Sequence, residues 1–330
     1  MAFSPSGAVL GYLADVLVAD PRRGHPVAAF GRAATAAERR LWRDDRAAGA
    51  LHTALCAGGA AVLAAAVDRA LAVPARRTGT PRRLADAAGG LPAVALTAAV
   101  TWSVLGGTSL GREARLVAEA LAEEDLGTAR ELLPRLCGRD PQALDSPALA
   151  RAVVESVAEN TSDAVVGALV WAALGGVPGM ALFRAANTLD AMVGHRSPRY
   201  RRFGWAAARL DDVLGLPGSR LTALLAAAAG PDPAGALRVR AADAGRHPSP
   251  NAGPVEAAFA GALGLRLGGT LAYGGRVEHR PVLNAGGRAP GPADIEAAVR
   301  LSRRVGALAL GVALVARQAR RAGRRRRHAG

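Results

Sequence analysis

Three stretches of this chain, 47–67, 87–111 and 164–183, run without a single Asp, Glu or Arg. A charge at mid-bilayer is costly, and a helix needs about 20 apolar residues to cross the hydrocarbon core. Each window reaches that length. Ala-rich helices buried in a soluble bundle are the competing reading, but that reading has to place three such windows in a chain with 21% charged residues. Further segments at 7–19, 213–230 and 305–316 extend the membrane-associated part. Met1–Leu10 lacks a basic cluster, and Asp15 and Asp20 break the apolar run behind it, so 7–19 reads as a retained helix rather than a cleaved signal.

The third window carries a defect. Gly175-Gly176-Val177-Pro178-Gly179 interrupts it, and such a run breaks a helix. Two half-helices, 164–174 and 180–193, fit a re-entrant hairpin. A full crossing would send the polar motifs on its two sides to opposite faces of the membrane; a hairpin would keep them together. The expected fold is therefore all-α: a polytopic helical integral membrane protein with a re-entrant or broken helix. Residues 111–163, net acidic with helical periodicity, form an acidic helical loop region. One membrane-embedded domain is expected over 1–316, followed by a basic tail over 317–330.

Composition narrows the chemistry. The 42 basic residues against 27 acidic ones give a net charge of +15, and every basic residue is Arg. Without Lys there is no P-loop lysine, no Schiff base and no adenylated lysine. Two cysteines, Cys56 and Cys137, cannot build a disulfide framework or a Cys-rich zinc site. The arginine run of the tail predicts a cytoplasmic C-terminus by the positive-inside rule, with contact to anionic lipid. No aromatic residue interleaves with it, which argues against nucleic acid.

The polar clusters crowd around the broken window. Ser146 is expected to cap a helix starting at Pro147. On that helix Glu155, Glu159 and Asp163 follow at i, i+4 and i+8, a stripe of carboxylates that repel unless something positive sits among them. Mg²⁺, held by one or two carboxylates plus substrate phosphate, would supply it. After the window, Asn187 and Asp190 lie one turn apart. Arg196, Arg199, Arg201 and Arg202 then crowd beside Tyr200, a set suited to phosphate or carboxylate. Asp211-Asp212 adds a carboxylate pair for Mg²⁺ or a general base. Toward the C-terminus, Ser249-Pro250-Asn251 signals a helix start, and the Gly268-Gly269 and Gly274-Gly275 pairs read as turns. Near the N-terminus, Asp20 and His25 flank Arg22 and Arg23. Singly, each is ordinary loop or surface chemistry; their density is the signal.

As an ordered set the motifs resemble the CobD/CbiB family of cobalamin-biosynthesis membrane proteins, the adenosylcobinamide-phosphate synthases. They are Asp15…Asp20-Pro21…His25-Pro26-Val27, Glu159-Asn160-Thr161-Ser162-Asp163, Asn187-Thr188-Leu189-Asp190…Gly194-His195…Arg199-Tyr200…Gly204-Trp205, Arg209-Leu210-Asp211-Asp212 and Ser249-Pro250-Asn251-Ala252-Gly253. The resemblance runs from about residue 8 to about residue 283. Ala19, Gly215, Gly218 and Pro254-Val255 depart from the family's usual residues, at turns rather than at charged positions.

The resemblance implies amide formation between a propionate carboxylate of adenosylcobyric acid and (R)-1-amino-2-propanol O-phosphate, with ATP and a divalent metal such as Mg²⁺. It implies a multi-pass protein of the cell membrane. Its partners would be lipid, the corrinoid, aminopropanol phosphate and other membrane enzymes of cobalamin assembly. Carried onto this sequence, Glu155, Glu159, Asp163 and Asp190 are assigned to metal and nucleotide phosphates. Arg196, Arg199 and Arg209 go to phosphate or the corrin propionate. Asp211 or Asp212 is the base, with Asp163 and Asp190 beside it in catalysis. Asn160, Asn187, Asn251 and His25 complete the binding set. A non-enzymatic sensor or transport accessory on the same scaffold is the alternative.

Overall fold

The computed structural model describes residues 3–21, 24–72, 82–195, 197–273 and 276–327. The chain gathers into two compact units. The first comprises 1–106, 167–215 and 310–330; the second comprises 107–166 and 216–309.

The first unit holds α1 (Pro5–Val18), α2 (Pro26–Leu41), α3 (Arg46–Thr53), α4 (Gly59–Ala72), α5 (Arg82–Val104) and α9 (Gly167–Leu189). The starts of α1, α2 and α3 are capped by side chains: Ser4 Oγ accepts from Gly7 N, His25 Nδ1 from Val27 N, and the Asp45 carboxylate from Ala47 and Ala48 N. α1 lies on α5 through Gly7 and Gly11, a small-xxx-small spacing. A β-carbon on Gly7 would sit 2.5 Å from the Val94 carbonyl, and one on Gly11 2.5 Å from that of Ala98. Backbone approach of this kind is how helices associate where lipid, not water, surrounds them. α3 passes into α4 through a π-helical turn at Ala54–Gly58.

Three helical stretches among the described residues are long and apolar enough to cross a membrane: Arg46–Leu71, Gly90–Ala122 and Ser146–Gly194. On the first, Leu55, Val62 and Leu63 stand 56%, 69% and 67% exposed, an apolar surface suited to lipid. The chain is an all-α polytopic membrane protein.

α9 is broken at its middle. Gly176 sits at φ 66°, ψ −149°, a conformation open in practice only to glycine. The two halves fold back on each other. The Phe183 ring lies on Gly167, where a β-carbon would run into it, and Gly179 lies against the Trp171 carbonyl. The breaker run thus makes a helical hairpin, whose second half returns to the level of Gly167.

The second unit holds α6 (Gly107–Ala122), α7 (Leu126–Leu132), α8 (Ser146–Thr161), α11 (Pro233–Asp243), α12 (Ala252–Leu263) and a β-hairpin. α10 (Trp205–Ala229) and α13 (Pro292–Arg327) each contribute residues to both units. The helical character of 111–163 is as expected, but the cap of α8 is not Ser146. Asp145 occupies that position and its carboxylate takes the Ala148 N–H at 2.9 Å. A carboxylate at a helix N-terminus also complements the helix dipole, which a neutral hydroxyl does not.

The glycine pair expected to be a turn is part of a strand. β1 (Leu267–Tyr273) pairs antiparallel with β2 (Arg276–Leu283), from Leu267↔Leu283 to Tyr273↔Arg276. The register shifts between Leu267 and Gly269, and Gly268 and Gly269 have φ of 75° and 88°. These glycines form a bulge, which turns the Gly268 N–H out of the ladder. Gly274 and Gly275 lie outside the described residues.

Candidate functional site

The expected site residues fall in both units. In the first unit the hairpin's second half ends at Leu189, and a π turn over Asp190–Gly194 follows. Gly194 faces the Asp190 carboxylate so closely that a β-carbon would strike Oδ1. Asp212, half-buried on α10, lies near enough to Asp190 for the two carboxylates to feel each other's charge. Asp211 is half-buried beside it. Arg209 reaches Asp212 at 3.4 Å from one turn earlier, and Asn187 accepts from Arg184 at 3.4 Å.

The loop between the π turn and α10 is fixed by close backbone packing. Gly49 on α3 meets the Phe203 carbonyl, Gly204 meets that of Val193, and Trp205 Nε1 donates to the Arg46 carbonyl at 2.9 Å. Within this loop Arg199 does not stand free. Its Nη2 donates to Glu38 Oε1 at 3.0 Å, and the Tyr200 hydroxyl donates to the same oxygen at 2.9 Å. The guanidinium also stacks 4.5 Å from the centre of the Trp42 ring. These partners, the Tyr200 hydroxyl first and Glu38 next, raise its pKa above the ordinary arginine value. Glu38 is only 7% exposed, so Arg199 neutralises a buried carboxylate before it meets any ligand. Arg196 lies outside the described residues. His25 caps α2 through Nδ1, which leaves Nε2 directed at Asp20, 3.3 Å away.

In the second unit the carboxylate stripe of α8 is split by its surroundings. Glu155 is 2% exposed. Arg139 Nη2 donates to its Oε2, and the Gly268 N–H freed by the bulge donates to Oε1 at 2.6 Å. Both oxygens are engaged by the protein itself. Glu159 is exposed, and Asp163 is half-buried in a π turn over Ser162–Val166. Asn160 donates back to the Ser156 carbonyl at 2.9 Å. Behind Glu155, Glu256 is buried and its carboxyl is pushed well above the ordinary range, first by burial and then by the charges of Glu155 and Glu159. His247 Nε2 stands 3.8 Å from it, held below the ordinary histidine value, chiefly by burial. Asn251 precedes α12 without capping it. Its Oδ1 accepts from Ser219 Oγ at 3.1 Å and Arg220 Nη1 at 3.2 Å, while Ser249 Oγ takes the Ala252 N–H.

Among the described residues, no three His, Cys, Asp or Glu side chains come together as a ready metal cage. Mg²⁺ does not require one, because one or two carboxylates plus substrate phosphate suffice. The half-buried Asp190 and Asp212 fit that demand. Glu155 does not, since both its oxygens are already bonded.

The family model described as CobD/Cbib protein matches residues 8–302. The chain belongs to the CobD/CbiB family. It is 51% identical over 318 residues to the cobalamin biosynthesis protein CobD of Mycobacterium tuberculosis strain H37Rv, covering 94% of this chain and 96% of that one. The CobD of Rhodobacter capsulatus is 46% identical over 228 residues, 69% of this chain and 73% of its own. That of Rhizobium meliloti strain 1021 is 41% identical over 304 residues, 88% and 90% respectively. No solved structure matches this member of the family.

Several residues that shape these clusters are not singled out by the sequence. Glu38 lies in an Ala-rich helix without a motif around it. Arg139 lies in a loop sixteen residues before its partner, and Arg220 looks like a surface arginine in an arginine-rich chain. Only Glu256 stands out in sequence, as an acid within the otherwise apolar α12.

Proposed function

We propose that this chain acts in cobalamin biosynthesis as an adenosylcobinamide-phosphate synthase. It joins a propionate carboxylate of adenosylcobyric acid to (R)-1-amino-2-propanol O-phosphate at the expense of ATP. The observation that carries the reading is the continuous likeness to CobD proteins, nearly end to end in both chains at 51% identity.

A carboxylate and an ammonium do not condense unaided. The propionate is first activated with ATP, as an acyl phosphate or acyl adenylate. The deprotonated amine then attacks the acyl carbon, the C–N bond forms, and phosphate or AMP leaves with the former carboxylate oxygen. Asp211 takes the ammonium proton, because its carboxylate is half-buried yet reachable and Asp212 is left to the metal. Asp190 and Asp212 are the side chains that would hold Mg²⁺. When bound, the ion neutralises nucleotide phosphate charge, a task no lysine is present to perform. Arg209, exposed on α10, is placed to meet an anionic substrate group, whereas Arg199 holds Glu38 and Tyr200 and positions the loop. The C-terminal arginines lie on the cytoplasmic side, where ATP is available and positive charge is retained.

Stoichiometric release of phosphate or AMP tests the reading. Release that requires corrinoid and aminopropanol phosphate together supports synthesis. ATP turnover indifferent to either substrate, or none in active membranes, contradicts it.

A further inference from the structure

In the second unit residues of α10 and α11 and of the loop entering α12 line an open cavity of about 520 Å³. Arg220 reaches it from α10, Arg240 from α11 and His247 from the turn beyond. The rest of its wall is Ala, Gly and Pro, with no acidic side chain. Two guanidiniums that share a cavity without a counter-charge repel each other, and a bound anion relieves that repulsion.

Glu256 stands behind His247 and does not line the cavity. The two arginines differ in how they are held. Arg220 is fixed in place: its Nη1 donates to the Pro250 carbonyl at 2.7 Å, to Ser219 Oγ at 2.9 Å and to Asn251 Oδ1 at 3.2 Å. Arg240 makes no ion pair with any described carboxylate, and its buried Nε has no hydrogen-bond partner. A buried donor left without an acceptor is costly. A phosphomonoester carries close to two negative charges at neutral pH, which matches two guanidiniums, and its oxygens suit their fork geometry.

We propose that this cavity is a phosphomonoester subsite, in which Arg220 and Arg240 take the phosphate of the amine substrate. The identity of that substrate rests on the synthase reading; the binding of phosphate by the cavity does not. Arg220 organises the Ser249–Asn251 loop, and Arg240 supplies the open donor. On this account Arg220 and Arg240 distinguish the phosphorylated aminoalcohol from the free one.

The test uses the full chain in lipid nanodiscs. Arg240→Gln is expected to raise KM for aminopropanol phosphate about tenfold or more, the effect of losing one charge-assisted hydrogen bond. KM for free aminopropanol and for ATP is expected to stay within about twofold of wild type. Arg240→Lys, which keeps the charge, is expected to recover part of the loss. A rise confined to ATP would give the cavity to the nucleotide and overturn the assignment, and equal rises for both aminoalcohols would make Arg240 merely structural. Equilibrium dialysis with radiolabelled inorganic phosphate separates the two readings. Phosphate binding lost in Arg240→Gln supports the site even where no product forms. Unchanged phosphate binding with unchanged KM overturns the site even where product forms.

Discussion

The Phe183 ring rests on Gly167, sixteen residues earlier in the same apolar window. In an uninterrupted helix these two would stand about 24 Å apart. Their contact makes the window a hairpin pivoting near Gly176, and the hairpin carries Asn187 and Asp190 back to the level at which α9 begins.

Hairpin closure therefore depends on two glycines for different reasons. Gly176→Ala forces a β-carbon into a backbone region closed to it, at a cost of about 1–3 kcal/mol. Gly167→Val displaces the Phe183 ring. Both variants are expected to melt at lower temperature in detergent and to lose activity. Gly58→Ala, where nothing lies within 4 Å of the added carbon, is expected to behave as wild type. Melting by intrinsic fluorescence and size-exclusion profiles check this.

Glu155 is a structural anion on this account. Glu155→Ala leaves Arg139 buried without its partner and the Gly268 N–H without an acceptor. Breaking such a buried pair costs on the order of 3–5 kcal/mol. Glu155→Gln keeps an acceptor for Gly268 and is expected to lose clearly less. Equal melting temperatures for the two variants would contradict the assignment.

Glu256 gives the second unit a pH dependence. Its carboxyl titrates well above the ordinary value in the folded chain, first because it is buried and then because Glu155 and Glu159 are near, despite the opposing pull of Arg139 and Arg280. The folded state thus holds a proton that the unfolded state releases near the ordinary carboxylate value. The associated stability is fully present below that value and is lost as pH rises through the folded one. Glu256→Gln is expected to flatten the fall in melting temperature on the alkaline side. A variant with the same slope as wild type would remove Glu256 as its source.

The carboxylates separate by role when metal is titrated. Chelation is expected to abolish synthase activity, and Mg²⁺ to restore it. Asp190→Asn and Asp212→Asn are expected to raise the Mg²⁺ needed for half-maximal rate by about tenfold or more. Glu155→Gln is expected to leave that requirement unchanged, because both oxygens of Glu155 serve Arg139 and Gly268.

Much of this architecture is legible in the sequence where the signal is local. Charge-free windows announce the long apolar helices, and Gly175–Gly179 announces the break. Partners distant in sequence leave no such mark. Nothing around Glu155 points to Gly268, 113 residues away, or to a strand bulge that frees its N–H. The same holds for Glu38 and Arg199, 161 residues apart. The Gly268-Gly269 pair looks like a turn because glycine serves bulges and turns by the same freedom at positive φ. Asp145 and Ser146 are both good caps, and only the observed Ala148 N–H separates them. A carboxylate stripe at i, i+4 and i+8 reads as a metal face, but burial and hydrogen bonding take Glu155 out of it.

The most direct measurement supplies membranes containing this protein with adenosylcobyric acid, aminopropanol phosphate, ATP and Mg²⁺, and follows the corrinoid by mass spectrometry. The account predicts a corrinoid heavier by aminopropanol phosphate less water, formed only when ATP and both substrates are present. An unchanged corrinoid, in membranes where the protein is verified as folded, would contradict it.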